Sequence, residues 1–185
     1  MIRSKIPTPE EIVVLPPPLL GTAIKLGKAL KDIHAKWALG GDAGEVMLGV
    51  NVESDHLEIL TTKPGTEEIA SKLNEYQAVA PEEREKTLAR EAEIDGGRYP
   101  VFVKSPYAEF TINGTLVEVY GDLQLKVGEW EWGDPLDYEP TVVSVVGTSL
   151  PVVPLRLKSE LDLGLGWLDR VKLISDAVMR SQHRH

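Results

Sequence analysis

The stretch from Trp37 to Thr62, WALGGDAGEVMLGVNVESDHLEILTT, constrains this chain most. A short apolar segment runs into Gly40-Gly41, a brief polar turn or helix follows, and a second strand-like segment closes the unit. Glycines at the end of a strand let a ligand approach the backbone closely, and a helix beginning there aims free N–H groups at an anion. The order is therefore suited to a phosphate. Side chains alternate along a strand, which puts His56 and Glu58 on one face of DHLEIL and Asp55, Leu57 and Ile59 on the other. Two potential metal ligands stand side by side.

These residues resemble the signature of the DNA-polymerase-beta-like nucleotidyltransferase superfamily: a hydrophobic residue, a glycine pair, a spacer, then carboxylate, hydrophobic residue, carboxylate on the next strand. Leu39-Gly40-Gly41 matches the first part and His56-Leu57-Glu58-Ile59 occupies the second. The first carboxylate is a histidine here, and the Arg-x-Thr that often precedes it reads Val52-Glu53-Ser54. The resemblance implies an α+β fold, a mixed sheet flanked by helices that pack mostly on one face, with an antiparallel strand extension over residues 98 to 147. It also implies transfer of a nucleoside monophosphate from a nucleoside triphosphate to an acceptor that the sequence does not identify. In that reading Gly40 and Gly41 bind the nucleotide, and His56, Glu58 and a later carboxylate hold divalent metal, magnesium or manganese. The alternative is a degenerate member that binds a nucleotide or a partner without turnover, because an imidazole replaces a hard oxygen ligand suited to magnesium.

The later carboxylate comes from a β-rich run. RYPVFVK, YAEFTI, TLVEVYGD, LQLKV and TVVSVV are short, rich in β-branched residues and separated by turn signals, and Asn113-Gly114 between FTI and TLVEV predicts a hairpin. Glu118 lies between Val117 and Val119, either on a solvated face or aimed into a site. The resemblance places the third carboxylate on this strand, which selects Glu118, with Asp122 as the substitute.

Elsewhere the pattern is plainer. Five prolines in the first eighteen residues predict an extended arm, with Ile12 to Leu15 laid on the domain. Apolar residues from Leu20 to Trp37 recur at helical spacing and predict a helix over 19–36, in which His34 stands alone and reads as structural. Thr66 is the expected cap of a helix after Lys63-Pro64-Gly65, with Ile69, Leu73 and Tyr76 buried. The charge-dense PEEREKTLAREAEIDGG, residues 81–97, reads as a solvated helix with pairs such as Glu82 and Lys86. Trp167, Leu168, Val171, Ile174 and Val178 mark a last amphipathic helix. Lys158 and Asp169-Arg170 stand where the family carries a lysine-bearing helix and a later helix start, but the match is loose and implies no role. Adjacency on a strand points Ser54, Asp55 and His56 apart, which excludes a nucleophile relay. The Trp130-Glu131-Trp132 run reads as a core or partner surface. His183 and His185 fall in the terminal tail, 180–185, leaving one domain over 19–179 after the arm at 1–18.

A net charge of −9 and a pI near 5.0 argue against holding extended nucleic acid by phosphate neutralisation. With no cysteine, disulfides and thiolate metal sites are excluded. Three Asn and three Gln beside 26% charged residues form a bias seen in proteins from hot environments. No apolar run approaches the roughly 18 residues of a membrane span, so the expectation is a soluble, cytoplasmic protein.

Overall fold

The computed structural model describes residues 14–183; most of the expected arm, including Ile12, and the last two residues, including His185, lie outside them. Helix α1 (Pro17–Ala29) begins two residues inside the expected arm, because proline in a first helical turn has no N–H to leave unpaired. It buries Leu19, Ala23 and Leu26, and Leu15 just before it is also buried. The expected helix over 19–36 ends early, at Ala29, and the chain turns before strand β1 (Trp37–Gly40).

Helix α2 (Gly41–Met47) follows directly, then β2 (Leu57–Thr61) and α3 (Lys63–Lys72). Thr62, not Thr66, caps α3: its hydroxyl accepts from the Gly65 amide at 3.1 Å, while Thr66 is buried one turn in. Ile69 and Leu73 are buried as expected, whereas Tyr76, in the turn beyond the helix end, is only half-buried.

The charge-dense segment is not a helix. Residues 77–87 form strand β3 (Gln77–Thr87) and Ala92–Ile94 form β4, which pairs with β5 (Gly97–Tyr99). The free edge of β6 (Val101–Ile112) decides this: there a strand with both faces largely wet tolerates charge and gains a backbone ladder. Glu82 and Lys86 share a strand face but do not pair; Glu82 meets Arg84 at 2.6 Å, and Lys86 reaches Tyr120.

Strands β7 (Thr115–Gly121) and β8 (Gln124–Val127) both pair with β6, at its two ends. Asn113 and Gly114 have φ of 51° and 77°, the left-handed pair of a tight hairpin turn. TVVSV forms β9 (Thr141–Val145), which pairs with β10 (Thr148–Val152) at the far edge rather than with the extension beside β6. The eight-stranded sheet runs β3-β6-β7-β2-β1-β10-β9, with β8 beside β6, and is mixed: β2 runs parallel to β7, and β1 parallel to β10. Helices α4 (Leu155–Gly164) and α5 (Leu168–Gln182) complete the chain. On α5 Ile174 and Ala177 are buried, while Leu168 and Val178 of the expected buried face are exposed.

One sheet face carries the main core: Leu57 and Ile59 pair with Val117 and Val119, which pair with Phe110 and Ala108, all fully buried. The opposite face carries Glu58, Glu118 and Glu109 beside a smaller apolar cluster of Ala92, Val101 and Leu165. The result is an α+β fold with a mixed sheet flanked by helices and a separate antiparallel pair. No helix among the described residues is long and apolar enough to cross a membrane.

Candidate active site

The register of three neighbouring strands assembles a row of acids. Gly40 is opposite Glu58 on β1 and β2, Glu58 is opposite Glu118 on β2 and β7, and Glu118 is opposite Glu109 on β7 and β6. His56 precedes β2 by one residue and joins the same face. Its Nε2 lies 3.1 Å from Glu58 Oε1 and 3.4 Å from Glu118 Oε2, and its Nδ1 lies 2.7 Å from Asp55 Oδ1. The three sequence-derived ligands are thus brought together, each side chain between 16% and 29% exposed.

His56 is the cation of this group. The hydrogen bond to Glu58 raises its pKa to about 9 against the opposing effect of burial, with Asp55 and Glu118 adding to the rise. Asp55 is held below the usual carboxylate range by the same imidazole. Because Asp55 and His56 lie before the strand and not within it, their side chains do meet. Ser54 Oγ donates to the His56 carbonyl at 2.8 Å and not to the ring, so no nucleophile relay forms.

Glu109 was not singled out from the sequence. The hydroxyl of Tyr107 contacts Glu109 Oε2 at 2.7 Å and Glu118 Oε1 at 2.9 Å, leaving Glu118 Oε2 turned toward His56. The signal was available, since the two-residue turn at Asn113-Gly114 forces 112 opposite 115 and hence 109 opposite 118. Burial, then the two neighbouring carboxylates, raises the Tyr107 pKa, so the phenol keeps its proton. The Arg84 guanidinium lies 3.8 Å above the Tyr107 ring, and Lys86 Nζ donates to the Tyr120 hydroxyl at 2.7 Å. Asp122, the substitute third carboxylate, accepts instead from the Lys63 amide at 2.9 Å and helps start α3.

The glycines have different tasks. Gly41 has φ of +57°, and a Cβ there would fall within 2.6 Å of the Glu58 carboxyl carbon; Glu58 can lie where it does because position 41 has no side chain. Gly40 is buried in the sheet behind it, where a Cβ would press on Leu60 and Val153 at 3.3 Å.

A cleft of about 270 Å³ opens beside this row, with Gly41, Asp42 and Glu58 in its wall. Leu60, Leu125, Leu161 and Leu165 give it an apolar lining, and Lys86 and Lys158 supply positive charge. Lys158 donates to fully buried Asp162 at 2.7 Å. Arg170 joins Asp42 at 2.7 Å and also contacts Glu45, whose pKa burial pushes up to about 7. Thus Arg170 ties α5 to the start of α2. Asp169 instead pairs with Arg90 at the surface.

Other candidates fall away from the cleft. His34 is exposed beside Glu68, and His183 is exposed with Nδ1 donating to the Met179 carbonyl. Trp130 stacks on Tyr99, and Trp132 lies near Lys104 and Lys126, so the two indoles form no joint platform.

The donor set fits a divalent cation. One ligand atom each from His56, Glu58 and Glu118 lies within 4.8 Å of the others, a spread that small side-chain shifts close around an ion with bonds of about 2.1 Å. Two carboxylates and one imidazole suit manganese or zinc at least as well as magnesium.

No protein-family model and no curated protein matches the sequence. Solved structures do. A candidate nucleotidyltransferase from Thermotoga maritima superposes with a TM-score of 0.68 over 94% of this chain and 99% of that one, at 22% identity. The chain has the nucleotidyltransferase fold. More distant similarities, at TM-scores of 0.48 and 0.49, are to an antigenic nucleotidyltransferase-like protein from Paracoccidioides brasiliensis (12% identity, 90% of this chain and 78% of that one) and to the lincosamide adenylyltransferase LnuA with lincomycin bound (9%, 89% and 99%). Within the nucleotidyltransferase fold of this chain, the glycine pair ends β1, His56 and Glu58 open β2, and Glu118 lies on the parallel neighbour β7.

Proposed function

We propose that this chain transfers a nucleoside monophosphate from a nucleoside triphosphate to an acceptor of unidentified class. The observation that carries the reading is the convergence of Glu58, Glu118 and His56 on one sheet face beside a cleft that contains two lysines. His56 Nε2, Glu58 Oε1 and Glu118 Oε2 would hold the divalent metal. A bound divalent ion supplies charge neutralisation and polarises phosphoryl oxygen. Gly41 leaves the wall open to a phosphate at the start of α2, with Gly40 behind it, and Lys86 and Lys158 offset phosphate charge within the cleft. In the transfer, an acceptor oxygen bonds to the α-phosphorus, the bond to the bridging oxygen breaks and pyrophosphate leaves. The acceptor proton passes to a carboxylate of the row, with Glu58 and Glu118 as the catalytic carboxylates.

A second reading has its own support. The protonated imidazole of His56 already bridges Glu58 and Glu118, the place a metal would take, which favours a module that binds a nucleotide or partner without turnover. Calorimetric titration with nucleoside triphosphates, first with magnesium and then with manganese, separates the two. Metal-dependent binding that Glu58→Gln and Glu118→Gln both abolish supports the transferase. Metal-independent binding that survives both changes, with no labelling of acceptors in a cell extract, supports the module.

A further inference from the structure

The two edges of the eight-stranded sheet are built differently. At one edge, β3 carries Pro81, two register shifts and five consecutive charged residues from Glu82 to Lys86, devices that stop an edge from pairing with another chain. At the other, β9 reads Thr-Val-Val-Ser-Val with no charge, no proline and no register shift against β10. Among the described residues no strand pairs with its outer side. In a chain of net charge −9, an uncharged and unguarded edge is a specific feature.

The turn after β9 is a second, independent observation. Val146 and Gly147 have φ of 48° and 75°, the same left-handed pair that Asn113 and Gly114 adopt in the other hairpin. Asparagine and glycine suit that conformation, whereas a β-branched residue is strained in it. Val146 is also 84% exposed, so among the described residues of one chain nothing offsets the strain or shelters the side chain. Val142 on the strand is 66% exposed as well.

The turn determines which backbone groups face outward. A two-residue hairpin makes 145 and 148 a hydrogen-bonded pair, and alternation then makes 143 with 150 and 141 with 152 bonded pairs. Val142 and Ser144 therefore direct both N–H and C=O away from β10. Pro151, opposite Val142, agrees with this, since a proline there withdraws no donor from the β9 ladder.

We propose that β9 is a self-association edge, at which two copies of this chain pair antiparallel about a two-fold axis through Val143. This register places Val142 of each copy opposite Ser144 of the other, so that the outward groups satisfy one another. It brings Val146 of one copy to Pro140 of the other, giving the strained valine an apolar neighbour. No acid lies within the paired segment, and the two that precede it, Glu139 and Asp137, are held by Lys36 at 3.9 and 2.9 Å. Self-complementarity and neutrality select a second copy over a foreign strand. The inference is independent of the catalytic reading.

Sedimentation velocity of the full chain across a concentration series tests it, with a species of twice 20.4 kDa expected at high micromolar concentration. Val142→Pro removes one outward N–H without touching the β9–β10 ladder and should leave a folded monomer. Val146→Asn relieves the turn and removes the apolar contact, so it should raise the melting temperature while weakening association at least tenfold. That paired result is one a purely structural valine would not produce, and it decides the matter even if the proline variant folds poorly. A native protein that stays monomeric, or a dimer that Val146→Asn leaves intact, overturns the proposal. So does a monomer whose Val142 and Ser144 amides resist hydrogen exchange, which would assign the edge to residues 1–13.

Discussion

Glu109 and Glu118 face each other across β6 and β7 and share a single phenol, the Tyr107 hydroxyl, at 2.7 and 2.9 Å. Like charges directly opposite in a sheet repel, and the hydroxyl between them turns the Glu118 carboxylate so that Oε2 meets His56. Tyr107→Phe should release that carboxylate. We expect a loss of about 1–3 kcal/mol of stability from the unpaired carboxylates and a fall of roughly 10–100-fold in manganese affinity. Calorimetry with manganese checks this; unchanged affinity in a folded Tyr107→Phe variant would show that Glu118 needs no such support.

His56 divides the transferase from the binding module. One neutral imidazole leaves the ligand set a negative charge short of the usual carboxylates, so native activity with magnesium should be weak. His56→Asp should raise magnesium-dependent nucleotide binding or turnover without altering the fold. Incubation of both forms with radiolabelled nucleoside triphosphates and a crude extract reads this out. Strong magnesium-dependent labelling by the native protein, abolished by the substitution, would instead make the histidine a catalytic residue.

The same imidazole predicts a pH dependence of the metal-free protein. Its pKa is raised on folding from 6.5 to about 9, so the stability it contributes is fully present below about pH 6.5 and is lost as pH rises through 9. The span is at most about 3 kcal/mol. Urea unfolding from pH 6 to 10 should show this loss in the native protein and not in His56→Gln. Parallel curves for the two proteins would refute it.

Gly41 should be the more sensitive glycine. A side chain there meets both a left-handed backbone, costing about 1–2 kcal/mol, and the Glu58 carboxyl group. Gly41→Ala should therefore lower stability and displace Glu58, weakening metal and triphosphate together, whereas Gly40→Ala needs only Leu60 and Val153 to give way slightly. Denaturant midpoints alongside metal titration test the contrast. Intact metal affinity in Gly41→Ala would mean that Glu58 tolerates the intrusion.

Local pattern by itself determined the two strands and the glycine pair of residues 37–61, the face of Glu58 and the 112–115 hairpin, because alternation and turn chemistry act between near neighbours; it left the segment after Gly41 open between turn and helix, and the choice of Glu118 came from the family resemblance. From that hairpin the Glu109 and Glu118 pairing was legible, though only as a pair, with no sign that it bordered a site. Tertiary structure decided the rest. Residues 77–87 are equally compatible with a charged helix and a wet edge strand, and the free side of β6 made them a strand. That β2 runs parallel beside β7, setting Glu58 against Glu118, depends on a connection spanning residues 62–114, whose course no local spacing encodes. Alternation set His56 on the face of Glu58, but its imidazole, just outside the strand, is drawn between two carboxylates only once both strands are in place.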